Sequence, residues 1–529
     1  MRTAGRILRF AILATFSSSI TSAATITGTV TGPDGAPFKG AFVEAQNANN
    51  KITVSVLSAK DGQYRIENLP SATYALRIRA IGYKADPRAS VSLTDKQTAS
   101  FDWALQKGTV RWSDLNLYQG KMILPNVKGK DVLEQNCFVC HGFQTRMAAT
   151  VRDEAGWRDR VNYMREAMKF GLAGRFTDDK ADAVVSFLNY TFGEDSTVPR
   201  SPADLPGYQE LVRPVNDKAL NIVYVEYDVS GSKGLPWSAA PDKDGNFWMP
   251  YYGRGNEVAR LNPKTGEVKR FPLPFSETAG VHSAFPAPDG TVWFTEFALN
   301  KIGHLDPKTG EITEYQDEGA VPNERPGKHT IRMDQDGNIW TSGSPLSRFD
   351  VKTKKFTHFM EVPSAYGLTS DNNGSMWFTV LKADGPIGKV DEKTGKVSLW
   401  NPPTKARPQR IQVDTDGMVW FSERSGQKIG RFDPKTETFK EFSLPGPSPT
   451  PYALGIDKDH YIWYASTEQD TLNRLDPSTG EVIEYSFPHS EAMMRELFLD
   501  SQGRMWFATP TNNRVGYFYL TGPTEHASK

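Results

Sequence analysis

The sequence predicts a mainly β, multidomain protein: an N-terminal β-sandwich, a small all-α domain and a seven-bladed β-propeller. Three observations predict it. A tryptophan recurs seven times behind a turn, at Trp248, Trp293, Trp340, Trp377, Trp420, Trp463 and Trp506, at spacings of 37 to 47 residues. That period, filled with short strands, is the mark of a propeller, one blade per repeat. Residues 25–107 alternate apolar and polar around Asp-Gly turns, and residues 108–198 switch to a helical period around the two cysteines of the chain.

At 529 residues the chain is too long for one ordinary core. Arg2, Arg6 and Arg9 precede an apolar run from Ile7 to Phe16 and small residues up to Ala24, the pattern of an export signal over 1–23. The run is short for a membrane span, although a retained anchor is the rival reading. The chain has 62 basic and 62 acidic residues; without Arg2, Arg6 and Arg9, 59 basic ones remain. This balance gives no pointer to nucleic acid, and no later stretch is apolar enough to cross a bilayer. The expected location is the periplasm.

Within 24–107, Thr25–Val30, Tyr64–Ile66 and Tyr74–Ile78 read as strands, with turns at Asp34-Gly35 and Asp61-Gly62. Gly28-Thr29-Val30, Gly40-Ala41-Phe42-Val43, Asp61-Gly62-Gln63-Tyr64, Asn68-Leu69-Pro70 and Gly82-Tyr83 resemble the carboxypeptidase regulatory-like (transthyretin-like) domain. The resemblance implies a non-catalytic module.

Cys137, Cys140 and His141 form C-x-x-C-H, the attachment signature of c-type haem. Two thiols add to the vinyl groups of one haem and the adjacent imidazole ligates its iron. A redox dithiol and a zinc site are the rivals. Lys130–Asn136 reads as a helix leading into the motif. Trp157, Val161, Met164 and Met168 mark one face of a second helix, and a third runs from about Asp178 to Phe192 with Val184, Phe187 and Leu188 inward. Residues 108–198 thus resemble a monohaem cytochrome c domain. The resemblance implies a methionine as sixth ligand, here Met164, with Met168 and Met147 as rivals. Residues 199–217 are rich in proline and polar residues and read as a linker.

The propeller is expected over 218–522, with a strand near Ile222–Tyr227 closing the ring and 523–529 as a tail. The position eleven residues before each repeat tryptophan holds Trp237, His282, His329, Tyr366, Gln409, Tyr452 and Arg495. None is aliphatic, and equivalent positions in a closed ring converge on the axis, so this set predicts a ligand site at the propeller mouth. Three residues after the tryptophans stand Glu296 and Glu423.

The recurring Trp-Phe-Thr-Glu, Lys-Ile-Gly and Asp-Pro-Lys-Thr-Gly resemble the virginiamycin B (streptogramin) lyase family over about 218–520. The resemblance implies a mouth with histidines, glutamates and magnesium that opens a cyclic depsipeptide by elimination. His282, Glu296 and His329 match its catalytic set. Gly280 and Gly327 stand where the family has an acidic residue before its histidine, and Gly343 stands where His329 would have its glutamate. The expected substrate-binding residues are Trp237, Tyr366, Gln409, Glu423, Tyr452 and Arg495. Two functions follow. One is an exported c-type cytochrome that exchanges electrons with a periplasmic partner while its propeller binds or converts a small molecule. The other is a magnesium-assisted carbon–oxygen lyase with an accessory haem domain.

Overall fold

The computed structural model describes residues 23–172, 174–274, 278–319, 327–371 and 373–522. The expected export signal and C-terminal tail lie outside them. No helix among the described residues is long and apolar enough to cross a membrane.

The N-terminal sandwich has two sheets. One pairs Ala24–Thr31 with Gln63–Leu69 and with the short strands Thr98–Ser100 and Trp103–Ala104. The other runs Thr53–Leu57, Phe42–Asn47, Ala72–Arg79, Val91–Leu93. Between them Ile26, Val30, Val43, Ala45, Ile66 and Leu76 form the core.

Six propeller blades are separate sheets, and the seventh is closed by the chain's two ends of the ring: Ile222–Asp228 pairs antiparallel with Arg514–Leu520. That closing strand has a second neighbour the sequence did not announce. Its other edge pairs with Thr53–Leu57, Val223 opposite Val56 and Val225 opposite Val54. One eight-stranded sheet therefore runs from the sandwich into the last blade.

Each repeat tryptophan packs against the next blade. Trp248 joins the apolar cluster of Val281, Val292 and Leu305; Trp420 joins that of Leu454, Ile462 and Leu475; Trp506 closes the circle on Phe247, ring centroids 3.3 Å apart. In six blades the indole N–H is satisfied by an aspartate six residues earlier, at 2.7 to 3.1 Å: Asp242, Asp334, Asp371, Asp414, Asp457 and Asp500. The other oxygen of the same carboxylate accepts turn N–H groups, as Asp457 does from Asp459 and Tyr461. One side chain thus fixes both the turn and the rotamer of the indole that seals the blade interface. In the second blade Ala287 holds that place, and Trp293 stacks on His304 instead.

Helices Lys130–Asn136, Glu154–Ala167 and Asp178–Phe192 lie where the apolar periodicity put them. The first and last pack together. Gly129 makes this possible: its φ is +98°, and a Cβ there would sit 2.1 Å from the Ala183 carbonyl oxygen. The predicted stripe is shorter than expected. Trp157 and Val161 are buried, Met164 is half-buried, and Met168 caps the helix end. The stretch read as a linker is not free chain. It makes short helical turns, Tyr208 is buried in the helical core, and Arg213 pairs with Glu484 at 2.9 Å.

Candidate functional site at the propeller mouth

The ring of residues at the mouth is built by a repeated local device. In four blades the innermost strand is irregular just where the ring residue sits, between Val281 and Ala284, Ala365 and Leu368, Pro408 and Ile411, and Pro451 and Leu454. Such a bulge removes one N–H from the ladder. A hydroxyl two residues after the tryptophan takes that N–H and donates onward to the next blade. Thr379 accepts from Gly367 at 2.9 Å and donates to the Gln409 carbonyl at 2.7 Å. Ser422 accepts from Arg410 at 3.0 Å and donates to the Tyr452 carbonyl at 3.1 Å. Thr295 serves Ser283 and His329 in the same way, and Ser342 serves Thr330 and Tyr366. The backbone of His329, Tyr366, Gln409 and Tyr452 is thereby fixed from the preceding blade.

On this frame the side chains converge. The Trp237 indole N–H donates to His282 Nε2 at 2.9 Å, and His282 Nδ1–H donates to the His329 carbonyl at 3.0 Å. The rings of His282 and His329 are 3.9 Å apart, and His329 lies 4.1 Å from Tyr366. The hydroxyls of Tyr366 and Tyr452 meet in a hydrogen bond. The Arg495 guanidinium lies 4.7 Å from the Trp237 ring and 5.1 Å from that of Tyr452. Burial first, then the Arg410 charge, holds His282 well below the usual histidine range, and burial with the His282 charge does the same for His329. Both imidazoles are neutral.

Other expected members make different contacts. Gln409 is buried, with Oε1 lacking a hydrogen-bond partner among the described residues. Glu296 faces Glu314, and Glu423 faces Glu441 and Lys428, on the outer strands of their own blades. Burial pushes each up to about 8, with the neighbouring glutamate adding to it. The mouth therefore holds imidazole, phenol, indole and guanidinium, while magnesium takes a shell of oxygen ligands, waters with one or two carboxylates among them. Among the described residues no group of three or more His, Cys, Asp or Glu could hold a metal ion. The residues do not fit magnesium. His282, with both nitrogens engaged, is not placed as a free base.

Arg410 was missed by the register argument because it is one residue past Gln409. Strict alternation would turn it away, but the bulge lets two successive residues face the same space. Its Nη1 donates to Thr330 at 3.3 Å and to Glu496 at 3.4 Å, and its guanidinium lies 5.5 Å from the ring of Tyr366 and 5.3 Å from that of Tyr452. The irregular strand pairing is the signal, and it is visible only in three dimensions.

The mouth is covered by the cysteine motif. Arg495 Nη2 donates to the carbonyls of Val139 at 3.1 Å and Cys140 at 2.8 Å. Glu491 accepts the Thr145 N–H at 2.9 Å and its hydroxyl, and lies 3.7 Å from His141. Glu491 is itself held by Asp470, which accepts the N–H groups of Glu491 and Ala492 at 2.7 and 2.8 Å. Lys121 pairs with Glu468 at 3.0 Å, and Arg254 lies over Tyr163.

The motif's donor set suits a covalent haem. Cys137 and Cys140 are not joined in a disulfide. His141 is buried, and burial keeps it neutral; its Nδ1–H donates to the Gly142 carbonyl at 2.7 Å, which leaves the Nε2 lone pair for iron. In the same helical region, buried polar atoms lack a hydrogen-bond partner among the described residues: both amide atoms of Gln144, Trp157 Nε1 and Arg152 Nη1. Such atoms fit a polar-edged group in that space. Burial pushes the Cys137 thiol up to about 12, the reverse of what a redox dithiol needs. Met147 is buried in the helical core, whereas Met164 and Met168 are half-buried.

The virginiamycin B lyase family model matches residues 221–347 and 351–527, more than half of the chain. The chain belongs to the virginiamycin B lyase family. The carboxypeptidase regulatory-like domain model matches residues 25–106. Virginiamycin B lyase of Nocardia farcinica is 26% identical over 147 residues, 27% of this chain and 48% of that protein. Pentonolactonase XacC of Haloferax volcanii is 26% identical over 145 residues, 24% of this chain and 45% of that protein. The chain thus spans about half the length of these curated relatives. A virginiamycin B lyase structure from Staphylococcus aureus superposes over its whole length on 57% of this chain, with TM-score 0.51 and 25% identity. A streptogramin B lyase structure does so on 58%, with TM-score 0.52 and 26% identity.

Proposed function

We propose that the protein is an exported c-type haem protein in which one-electron chemistry is coupled to the mouth of a lyase-family propeller. The observation that carries this reading is the contact of Arg495, a mouth residue, with the backbone of Cys140 and Val139 inside the attachment motif. A motif serving an unrelated docking role would have no reason to lie on the one face where the ring side chains converge. Cys137 and Cys140 would hold the haem, His141 would ligate it, and Met164 would supply the sixth ligand. Bound there, the haem would supply a one-electron acceptor. The residues of this chain orient the motif through Arg495 and Glu491, and the two neutral imidazoles and two phenols provide hydrogen-bonding groups beneath it. Electrons would leave to a periplasmic partner. The test is co-expression with a cytochrome maturation system: the protein should keep its haem through denaturing gel electrophoresis, and the Cys137→Ala/Cys140→Ala variant should not. Haem staining that survives in the double variant sinks the proposal.

A second reading is ring opening of a cyclic ester, favoured by family membership and by similarity to a lyase and a lactonase. The engaged nitrogens of His282 and the pairing of Glu296 with Glu314 count against it. Turnover of a lactone or depsipeptide by the haem-free double variant would establish it.

A further inference from the structure

Three guanidiniums gather at the mouth, and among the described residues only Arg410 has a carboxylate beside it, one it shares with Arg332. Arg410, Arg495 and Arg424 lie 5.3, 5.1 and 6.0 Å from the Tyr452 ring. The available carboxylates are spoken for. Glu496 serves Arg332 as well as Arg410, at 3.2 and 3.4 Å, and Glu468 pairs with Lys121. Among the described residues no carboxylate lies within ion-pair distance of Arg424 or Arg495. Arg410 and Arg495 are buried, and Nε and Nη2 of Arg410 and Nε of Arg495 have no hydrogen-bond partner there. Uncompensated buried charge is costly, and unpaired guanidinium donors add to the cost. Burial and the Arg495 charge together lower the Arg424 pKa, a sign of this crowding. Burial works to raise the Tyr452 phenol, but Arg410 and Arg495 outweigh it and lower its pKa.

We infer that the mouth binds a small organic carboxylate, held between Arg410, Arg424 and Arg495 beneath the cysteine motif. Guanidinium forks match a carboxylate in shape and charge, and the hydrogen-bonded pair of Tyr366 and Tyr452 hydroxyls keeps one proton to donate to it. The rings of His282, His329 and Tyr366 stand 3.9 and 4.1 Å apart in sequence around the mouth, so the ligand is a small anion and not a macrocycle. This deepens the function proposed above and rests on the mouth being the working site.

The experiment is calorimetric titration of the haem-loaded full chain with sodium succinate and sodium gluconate, with sodium chloride at equal ionic strength as control. Saturable binding of either carboxylate is expected, weakened about tenfold or more in Arg424→Gln. Haem content and circular dichroism report whether that variant is folded. Should it not fold, Arg424→Lys keeps the charge, loses the fork and is expected to bind more weakly than wild type. If the haem-free Cys137→Ala/Cys140→Ala protein binds and the haem-loaded one does not, the carboxylates of the haem itself fill the site, which upholds the site and names its source. No saturable binding by either form, or unchanged affinity in the folded Arg424 variant, overturns the inference. Haem staining is independent of this result, so the two proposals fail separately.

Discussion

Arg495 of the last blade donates two hydrogen bonds into the backbone of Val139 and Cys140, while its guanidinium rests on Trp237 and Tyr452. Two regions recognised separately in the sequence, 355 residues apart, meet in one side chain. The function of either is therefore best tested with the other in place.

Met164, half-buried on the second helix, is the expected sixth ligand. Met164→Ala should abolish the sulfur–iron charge-transfer band of the oxidised haem and lower its potential, since loss of a methionine ligand removes the group that raises it. Loss of the band in Met168→Ala instead would move the ligand to the helix end. Optical spectra of the two variants decide between them.

His282 accepts from Trp237 and donates to the His329 carbonyl, so its role is to set the ring. His282→Ala leaves the buried Trp237 indole N–H without its partner and the His329 carbonyl with the Thr295 hydroxyl alone. We expect a stability loss of about 1–3 kcal/mol in urea unfolding. His282→Gln, which offers both an acceptor and a donor, should recover part of it. A full-strength activity loss in His282→Gln with unchanged stability would instead mark the imidazole as chemical.

Thr379 carries one stitch of the bulge girdle, so Thr379→Val, nearly equal in shape, removes both its hydrogen bonds at once. The cost should again be about 1–3 kcal/mol, read as a lower urea midpoint with an unchanged slope. A neutral Thr379→Val would show that the blades register without the hydroxyls.

Glu296 and Glu423 bind their protons more tightly in the folded protein than in the unfolded chain, because burial raises each to about 8. Their contribution is fully present below the ordinary glutamate range and is lost as pH rises through about 8. Urea midpoints of the wild type should therefore fall from about pH 5 to about pH 8 more steeply than those of Glu296→Gln/Glu423→Gln. Parallel curves for the two proteins would contradict these shifts.

Much of the propeller was legible because its information is periodic. One tryptophan per blade gives the count, and a fixed offset from it gives the ring, since Trp237, His282, His329, Tyr366, Tyr452 and Arg495 all converge. The same offset logic misplaced Glu296 and Glu423: counting places a residue along a strand and says nothing about which neighbour its side chain faces. Arg410 escaped for the complementary reason, that a bulge shifts facing by one residue and leaves no mark in the pattern. Glu491 escaped because it lies in the blade connection, where no repeat constrains the reading. The helices around the cysteine motif were readable from apolar spacing, but their docking on the mouth is a long-range contact that no local pattern encodes.

The sheet that joins the sandwich to the last blade bears on how the protein can be divided. A fragment beginning near residue 218 would keep all seven blades yet bare one edge of Ile222–Asp228, a row of unpaired N–H and C=O groups flanked by Tyr224 and Val225. Such an edge invites a strand from another molecule. The isolated propeller should self-associate in size-exclusion chromatography where the whole chain does not, with the N-terminal domain acting, within its own polypeptide, as the guard of the seam.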